Sequence, residues 1–361
     1  MGLIPAVCGQ SVSTGRAMLR VCPQEASRRL IPGAACADPS DMEIAPDGAI
    51  RGEVRLAGHQ RVSHGLYRPQ TPDLEAWGNF LKDLAALRLV LPADAAFTHV
   101  TGARLLGWNL PAIPEQVPHF AAVRSANRPR RPGLVCSRLT HESEVRMVHG
   151  LRVDAPAEIL LRAARDLGDL DLAILVDSAV RRGDVSDAEI QEVLASRRPG
   201  TRRLREVWGS RDARSESAGE TLLRCFHRVM DVPTRSQVDI HDDRGRFLCR
   251  ADLLVVGTTS IHEYDGAIHR DKNVHRRDLR RERALADTAY VRRGFTLDDL
   301  VNHAAVLMHE LDRLLDRPHQ ARRLRAWRAL IDDSLYSEIG RERVMNRWHR
   351  STDPVHWART A

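Results

Sequence analysis

The sequence predicts an α/β (α+β) protein in which a mostly helical N-terminal and middle region precedes a C-terminal α-β-β-β-α-β-α core. Three observations predict this class. Apolar residues recur at spacings of three and four between residues 71 and 210, as in amphipathic helices. Between residues 215 and 315 the pattern changes to short alternating or apolar runs separated by turn residues, as in strands. The length of 361 residues allows about two domains.

Composition excludes several classes of protein. With 43% hydrophobic residues the chain can form real cores, so global disorder is not expected. No uncharged apolar run reaches the roughly 18 residues of a membrane span, and residues 1–21 lack the continuous apolar region of a signal peptide. The six cysteines form no CxxC pair and no zinc-ligand spacing, which indicates reduced thiols and a cytoplasmic location.

The basic residues have two interpretations. The formal net charge of +7 permits a nucleic-acid partner. All basic residues except Lys82 and Lys272 are arginine. Codon usage in a GC-rich genome gives such a bias whatever the function. Alternatively, the arginines form a surface that binds the phosphates of a nucleic-acid backbone.

The N-terminal half divides into three predicted regions. Residues 1–41 lack periodicity and are expected to be a disordered leader, or the product of an upstream start codon with Met42 as the natural start. Residues 42–70 contain RVSHGLYRP, which favours a short hairpin or the wing of a degenerate winged helix. Residues 71–210 form the mostly helical middle domain.

The middle domain is expected to begin with a helix at Thr71-Pro72, because threonine caps helices and proline suits the first helical position. A second helix is predicted over Phe97–Leu106, and an arginine-rich loop separates strands near residues 121 and 135. Three or four helices follow, one of them opened by a capping box at Ser186–Glu189. The polar stretch Gly200–Ala213 is predicted to be the domain boundary.

The C-terminal domain is predicted over residues 213–316. Its expected elements are a helix over 218–230, strands at 238–240, 247–256 and 261–265, a charged helix over 273–287, a short strand at 290–291 and a helix capped by Thr296. Residues 317–361 are interpreted as a basic tail with one helix.

Three carboxylates occupy strands that are otherwise apolar. Asp252 lies in the 247–256 strand, and Glu263 and Asp265 share one face of the next strand because they are two residues apart. A two-residue turn at Thr258-Thr259 would pair residue 252 with 265 and make Glu263 the diagonal neighbour of Asp252. A bound divalent cation would relieve the repulsion between the three, so Mg²⁺ or Mn²⁺ is predicted there. A register change of one residue would destroy this arrangement.

Three neighbouring features each carry two interpretations. Glu220 completes a Ser-x-x-Glu capping box with Ser217, and it either caps its helix alone or also joins the carboxylates. His269 is either a surface residue or a group that reaches over them. A stripe of arginines follows, which either faces phosphates or is a solvated face partly neutralised by acidic neighbours. The stripe consists of Arg276, Arg277, Arg280 and Arg281.

The order of elements, with an acidic residue in the first helix followed by D-x(n)-E, resembles the PD-(D/E)XK nuclease superfamily, whose core is restriction-endonuclease-like. The match is closer to the very-short-patch-repair (Vsr) endonuclease-like domain of unknown function found in actinobacterial proteins. The matching positions are Ser217, Gly219, Glu220, Thr221, Arg224, Arg250, Asp252, Leu253, Glu263, Asp265, Gly266, His269, Arg277 and Asp278. The superfamily lysine is replaced by Asp265. Vsr-like members use a histidine, which makes His269 the candidate substitute and Lys272 a weaker one.

This resemblance implies a metal-dependent endonuclease that hydrolyses DNA phosphodiesters. Asp252 and Glu263 would hold one or two Mg²⁺ ions, with Glu220 assisting directly or through water. His269 would act as general base or protonate the leaving oxygen. The arginine stripe would position the DNA backbone.

The N-terminal region resembles a second family. The GLYRP wing at residues 65–69 and the helix FTHVTGARLLGW at residues 97–108 are similar to AbiEi-type antitoxin proteins of actinobacteria. This resemblance implies an alternative function as a DNA-binding transcriptional regulator, with a cognate toxin as partner and an inactive nuclease fold. The helices that should precede Arg61 are poorly formed, so the winged helix is degenerate. A third interpretation is a scaffold that binds protein partners.

Overall fold

The computed structural model describes residues 43–45, 47–52, 57–124, 128–139, 144–266, 285–286 and 288–352. Several predicted features lie outside the described residues. They are the leader, most of the charged helix predicted over 273–287, His269, Lys272 and the stripe Arg276, Arg277, Arg280 and Arg281.

Runs of strands and runs of helices follow one another along the described chain. The strands are β1 (Glu43–Ile44), β2 (Ile50–Arg51), β3 (His59–Ser63), β4 (Leu66–Pro69), β5 (Ala96–Phe97), β6 (His119–Val123), β7 (Leu134–Arg138), β8 (Arg146–Val148), β9 (Leu151–Val153), β10 (Thr234–His241), β11 (Phe247–Val255), β12 (Ser260–Tyr264) and β13 (Val291–Phe295). The helices are α1 (Ala76–Leu87), α2 (His99–Leu105), α3 (Pro156–Ala163), α4 (Asp169–Arg181), α5 (Asp187–Ala195), α6 (Thr201–Trp208), α7 (Ala218–Val229), α8 (Leu297–Asn302), α9 (Ala304–Leu314), α10 (Ala321–Asp332) and α11 (Glu338–Thr352).

The N-terminal sheet has the order β1-β2-β4-β3 and is antiparallel throughout. The hairpin predicted from RVSHGLYRP is formed by β3 and β4, and Gly65 takes a left-handed φ of 62° in its turn. The described residues of the 42–70 region are strands and turns, with no helix of a winged-helix module among them. The helix predicted at Thr71-Pro72 begins five residues later, at Ala76, because Asp73 has a φ of 59° and interrupts the helical path.

The middle region contains a five-stranded sheet of order β7-β6-β5-β9-β8 and helices α3 to α6. The predicted strands near residues 121 and 135 are β6 and β7, which pair in parallel, and the capping box at Ser186–Glu189 forms with both reciprocal bonds. The polar stretch Gly200–Ala213 is not an irregular linker. It holds helix α6, because Leu204 and Trp208 share a buried face beneath the polar residues.

The C-terminal sheet has the order β10-β11-β12-β13. Strand β11 pairs antiparallel with both β10 and β12, and β13 runs parallel to β12. Helix α7 packs against β12 and β10, with Leu222, Leu223 and Phe226 in the main core. The described chain is therefore mixed α+β, as predicted.

The C-terminal region after residue 316 is more ordered than predicted. It holds two helices, α10 and α11, rather than one helix and a basic tail. Trp327 and Trp348 are fully buried in the main core, and the Trp348 ring meets Phe120 edge-on at 5.1 Å. The burial of these two large aromatic side chains explains why the segment packs on the core despite its charge. In the part of the chain described, no helix is both long and apolar enough to cross a bilayer.

Candidate carboxylate site at the edge of the C-terminal sheet

Asp252 faces Glu263 rather than Asp265 across the sheet. Leu253 pairs with His262 and Leu254 with Ile261, so the next opposite positions are 252 and 263. The predicted pairing of 252 with 265 is wrong by two residues. An even shift keeps Asp252 and Glu263 on a common side only where side chains alternate regularly with a period of two. The Asp252 Oδ2 accepts a hydrogen bond from the Tyr264 backbone N at 3.1 Å, which fixes it against β12.

Strict alternation along β11 is broken at Asp252. Cys249 and Ala251 pack in a small second cluster, whereas Leu253 belongs to the main core beneath α7. Opposite this point the ladder with β10 skips Gln237, whose φ is +53°. The register is unchanged across this point, since Ser236 pairs with Leu253 and Val238 with Ala251, so no extra residue is inserted here. A non-glycine residue in the left-handed region is strained, and the Gln237 side chain turns to Glu220.

Glu220 lies at the N-terminal end of α7, next to this irregularity. Its Oε2 accepts hydrogen bonds from the Glu216 backbone N at 2.8 Å and from Gln237 Nε2 at 2.9 Å. The Ser217 side chain also hydrogen-bonds to this carboxylate. Burial raises the pKa of Glu220, and the neighbouring Asp252 carboxylate raises that pKa further.

Glu220 also keeps its structural role. The Ser217 hydroxyl accepts from the Glu220 backbone N at 3.2 Å and caps the helix. The Glu220 side chain, however, bonds to the Glu216 backbone N instead of the Ser217 backbone N, so the reciprocal half of the predicted capping box is absent from these contacts. The carboxylate is thereby turned toward Gln237 and Asp252, which favours the second of the two interpretations.

Glu263 and Asp265 converge on one arginine of β13. Arg292 Nε donates to Glu263 Oε2, and its Nη2 lies 3.6 Å from Asp265 Oδ1. Glu263 is buried at 3% exposure, whereas the Asp265 side chain is half exposed. The predicted mutual repulsion of these carboxylates is therefore relieved in part by a protein cation. Sequence reasoning missed Arg292, because it lies 29 positions after Glu263 and reaches it only through parallel strand pairing.

Two glycines shape the site, and a signal for one was already in the sequence. A side chain at Gly219 would overlap the ring of Tyr264, so the glycine of Ser217-x-Gly219-Glu220 lets α7 approach β12 closely. A side chain at Gly294 would overlap the carboxylate of Asp265. Both glycines serve close packing around the carboxylates, with ordinary backbone angles.

Arg224, the last residue of the first matched motif, lies in the interior and not at the carboxylates. Its Nη2 bonds to Asp177 Oδ2 of α4 at 2.6 Å, and its Nη1 bonds to the Ser210 carbonyl at 2.7 Å. The Thr221 hydroxyl also donates to Asp177, at 3.0 Å. Arg224 and Thr221 therefore fasten the C-terminal domain to the middle region.

A buried histidine pair lies behind the site and was not predicted. His227 Nε2 lies 2.6 Å from His262 Nδ1. His227 Nδ1 faces the Leu223 carbonyl at 2.8 Å, and His262 Nε2 faces the Ser260 hydroxyl at 2.9 Å. The carbonyl can only accept, so His227 carries its proton on Nδ1, His262 donates from Nδ1, and Ser260 donates to His262. Burial lowers the pKa of His227 to about 4 and that of His262 to about 3.

The structure thus places Glu220 near Asp252, Asp252 opposite Glu263, and Glu263 beside Asp265. Within the described residues, no three His, Cys, Asp or Glu side chains are close enough together to form a metal-binding group. The predicted set Asp252, Glu263 and Asp265 is divided, since Arg292 lies against two of its members. Comparisons with protein-family models, curated proteins and solved structures find no match to this chain.

Proposed function

We propose that the chain is a metal-dependent endonuclease that hydrolyses DNA phosphodiesters at the carboxylates of the C-terminal sheet. The observation that carries the proposal is the approach of Glu220 on α7 to Asp252 on β11, with Glu263 opposite Asp252 in the register of β11 and β12. A helix followed by three antiparallel strands and a parallel fourth supports it, because the same order underlies the resemblance to PD-(D/E)XK nucleases. The excess of basic residues favours a polyanionic substrate.

The donor chemistry suits a hard cation only in part. Carboxylate oxygens are the ligands that Mg²⁺ prefers, and Glu220 and Asp252 supply two neighbouring carboxylates. Glu263 shares its charge with Arg292, so Asp252 and Glu220 are the better-placed pair, and Glu263 would complete the set once Arg292 moves aside. When bound, the ion would supply Lewis-acid stabilisation of the phosphate and lower the pKa of a water molecule.

The protein's own groups would do the rest of the chemistry. Gln237 holds Glu220 in place, and the Tyr264 backbone N orients the Asp252 carboxylate. The raised pKa of Glu220 brings this carboxyl closer to the range in which it exchanges a proton with a bound water. Arg292 is placed to neutralise negative charge beside Glu263 and Asp265 when a phosphate approaches. His269, outside the described residues, keeps its predicted role of general base or acid.

The test is cleavage of labelled duplex, mismatched and single-stranded DNA by purified protein with Mg²⁺ or Mn²⁺. Asp252→Asn should lower the rate by roughly 10²–10³-fold or more while the circular dichroism spectrum and unfolding midpoint stay the same. Asp239→Asn is the matched control, because Asp239 is an exposed aspartate on the adjacent strand β10 and should leave cleavage unchanged.

If the wild-type protein cuts none of the three DNA forms with either metal, the endonuclease proposal is wrong. Equal loss of cleavage in the Asp252 and Asp239 variants would also contradict it, since the effect would then not depend on the site.

One observation favours a second candidate, the AbiEi-type regulator with an inactive nuclease fold. The ion pair between Glu263 and Arg292 gives the buried carboxylate a permanent countercharge of the kind a bound metal would otherwise supply. A regulator would bind its own promoter with sequence specificity and strong salt dependence, without any effect of Mg²⁺. A cognate toxin would be its further partner, detectable by co-purification.

A further inference from the structure

A groove of about 610 Å³ lies between α7, the start of β10 and the connection that follows α6. Its lining contains five arginines and two aspartates within 25 consecutive positions of the sequence. The arginines are Arg211, Arg214, Arg224, Arg228 and Arg235. We name it the arginine groove.

The positive charge of the arginine groove is not balanced by its aspartates. The side chains of Arg228 and Arg235 are exposed and make no hydrogen bond or ion pair within the described residues. Asp231 is engaged by Arg323 at 3.4 Å, and Asp212 accepts from the Ser236 hydroxyl. The groove therefore presents unpaired guanidinium groups, the side chains best suited to phosphate oxygens.

The floor of the groove is rigid. Arg224 is held by Asp177 and the Ser210 carbonyl, and it is buried at 9% exposure. Its Nε has no hydrogen-bond partner among the described residues and lies 3.9 Å from Asp212 Oδ2. A buried donor without a partner is costly, so a ligand oxygen or a bridging water would be favourable there.

A second cavity rich in arginine shows that this arrangement is not general. The cavity of about 490 Å³ beside Gly200 is lined by Arg202, Arg203 and Arg347 among others. There Arg202 pairs with Glu206, Arg203 with Asp169 and Asp333, and Arg347 with Asp166. Most arginines of this cavity form ion pairs with carboxylates of the protein, whereas the side chains of two arginines in the arginine groove do not.

The groove and the carboxylate site lie along one helix. Glu220, Arg224 and Arg228 are four residues apart on α7 and therefore follow one face. Glu220 and Arg228 are separated by about 12 Å along the axis, which is the rise of three to four base pairs. Ser236 lines the groove, and the adjacent Gln237 bonds Glu220.

From this geometry we infer that the arginine groove is a second binding site, which holds backbone phosphates of the same nucleic-acid strand that enters the carboxylate site. Arg228 and Arg235 contact the phosphates, and Arg224 forms the floor. This inference rests on the proposed function, because it takes nucleic acid as the ligand. It adds an anchoring position a few nucleotides away from the scissile phosphodiester.

The test measures binding of a fluorescein-labelled DNA duplex by anisotropy over about 50–200 mM salt, in EDTA and in an Asp252→Asn background, so that no cleavage occurs. Arg228→Gln/Arg235→Gln should reduce the slope of log K against log salt by about two, at roughly 0.9 per phosphate contact. Arg325→Gln/Arg328→Gln removes the same charge from exposed arginines of α10 outside the groove lining and should leave the slope unchanged. A calorimetric titration with inorganic pyrophosphate is the second arm.

A slope that falls only in the groove variant supports the inference. An unchanged slope in that variant, or an equal fall in the α10 control, overturns it. Pyrophosphate binding lost in the groove variant with an unchanged DNA slope also overturns it, and assigns a small phosphate compound to the groove. Failure of the nuclease proposal is distinguishable from failure of this inference. In that case the wild-type protein cuts no DNA, but the salt slope still differs between the wild-type protein and the groove variant.

Discussion

Two carboxylate clusters in contact with α7 differ in how their oxygens are used. Asp177, in the interior, accepts from the Asp212 backbone N at 2.8 Å on one oxygen and from Thr221 and Arg224 on the other. At the sheet edge, Glu220 accepts from the Glu216 backbone N and the Gln237 amide and lies near a second carboxylate, Asp252. In the first cluster both carboxylate oxygens accept hydrogen bonds from protein donors, whereas in the second two carboxylates lie near each other.

The contrast separates a role in the fold from a role in chemistry. A buried carboxylate with donors on both oxygens is stable as it stands and gains nothing from a ligand. Like charges held together raise a pKa and attract a cation, which is typical of functional sites. One short motif contributes to both clusters, because Glu220 and Arg224 lie one helical turn apart on α7. Only Glu220 lies at the edge of the C-terminal sheet.

The largest effect of a single substitution on stability is expected from breaking the interior cluster. Asp177→Asn removes the carboxylate nearest to the buried Arg224 guanidinium, so the free energy of unfolding should fall by about 3–5 kcal/mol. Urea denaturation measures it, with Asp252→Asn and Asp239→Asn as comparisons that should change stability by less than about 1 kcal/mol. Equal destabilisation by Asp177→Asn and Asp252→Asn would break the distinction between the two clusters.

The histidine pair should make the C-terminal domain sensitive to acid. The pKa of His227 is about 4 and that of His262 about 3 in the folded state, against about 6.5 when unfolded, so the unfolded chain binds more protons below pH 6.5. The contribution of the histidine pair to the free energy of unfolding is therefore fully present above pH 6.5. It is lost as the pH falls toward 4, by roughly 3 kcal/mol per histidine. Urea midpoints measured across this pH range test the prediction.

His227→Leu/His262→Leu should flatten that pH dependence even where it lowers stability at neutral pH. His303→Leu, at an exposed histidine, should leave it as in the wild type. A double variant with the slope of the wild type would show that other groups control the acid response.

A smaller effect is expected from the close approach of α7 to β12. Gly219→Ala places a methyl group against the Tyr264 ring and should destabilise by about 1–3 kcal/mol. It should also displace Glu220 and lower any DNA cleavage. Gly209→Ala is the control, because its Cβ would come no nearer than 3.5 Å to other atoms and the backbone is right-handed. If Gly219→Ala is as stable as Gly209→Ala, the glycine is not needed for this packing.

The smallest effect sharpens the comparison at the edge itself. In Arg292→Gln, Glu263 loses its countercharge, so added Mg²⁺ should restore stability by about 1–2 kcal/mol more than it stabilises the wild type, at roughly tenfold above its dissociation constant. Thermal unfolding with and without Mg²⁺ measures the difference. An identical response of the two proteins would mean that Arg292 and a cation do not compete for Glu263.

Local patterns carried most of what the sequence could predict of the fold. The cap at Ser217, the capping box at Ser186 and the strand boundaries around residue 252 follow from neighbouring residues and are found where expected. The start of α1 was misplaced, because a left-handed residue such as Asp73 leaves no distinct signal in a non-glycine position. The amphipathic helix α6 was hidden by its arginines.

For the site, the sequence singled out Glu220, Asp252 and Glu263 from polar residues in apolar surroundings but not what neutralises them. The register that it predicted for Asp252 was wrong by two residues, because the turn between β11 and β12 is not fixed by local residues alone. Arg292, Gln237 and the histidine pair depend on parallel pairing, a left-handed residue and helix-to-sheet packing. Each is a tertiary relation between distant positions, which single-sequence patterns do not encode.

The burial of Trp348 has a consequence for synthesis of the protein. Its ring packs on Phe120 and His99, more than 220 positions earlier in the chain, and its indole N–H donates to Asp166. The aromatic cluster of His99, Phe120 and Trp348 therefore forms only after α11 has been synthesised, so we expect a chain interrupted before residue 348 to expose His99 and Phe120 at this contact.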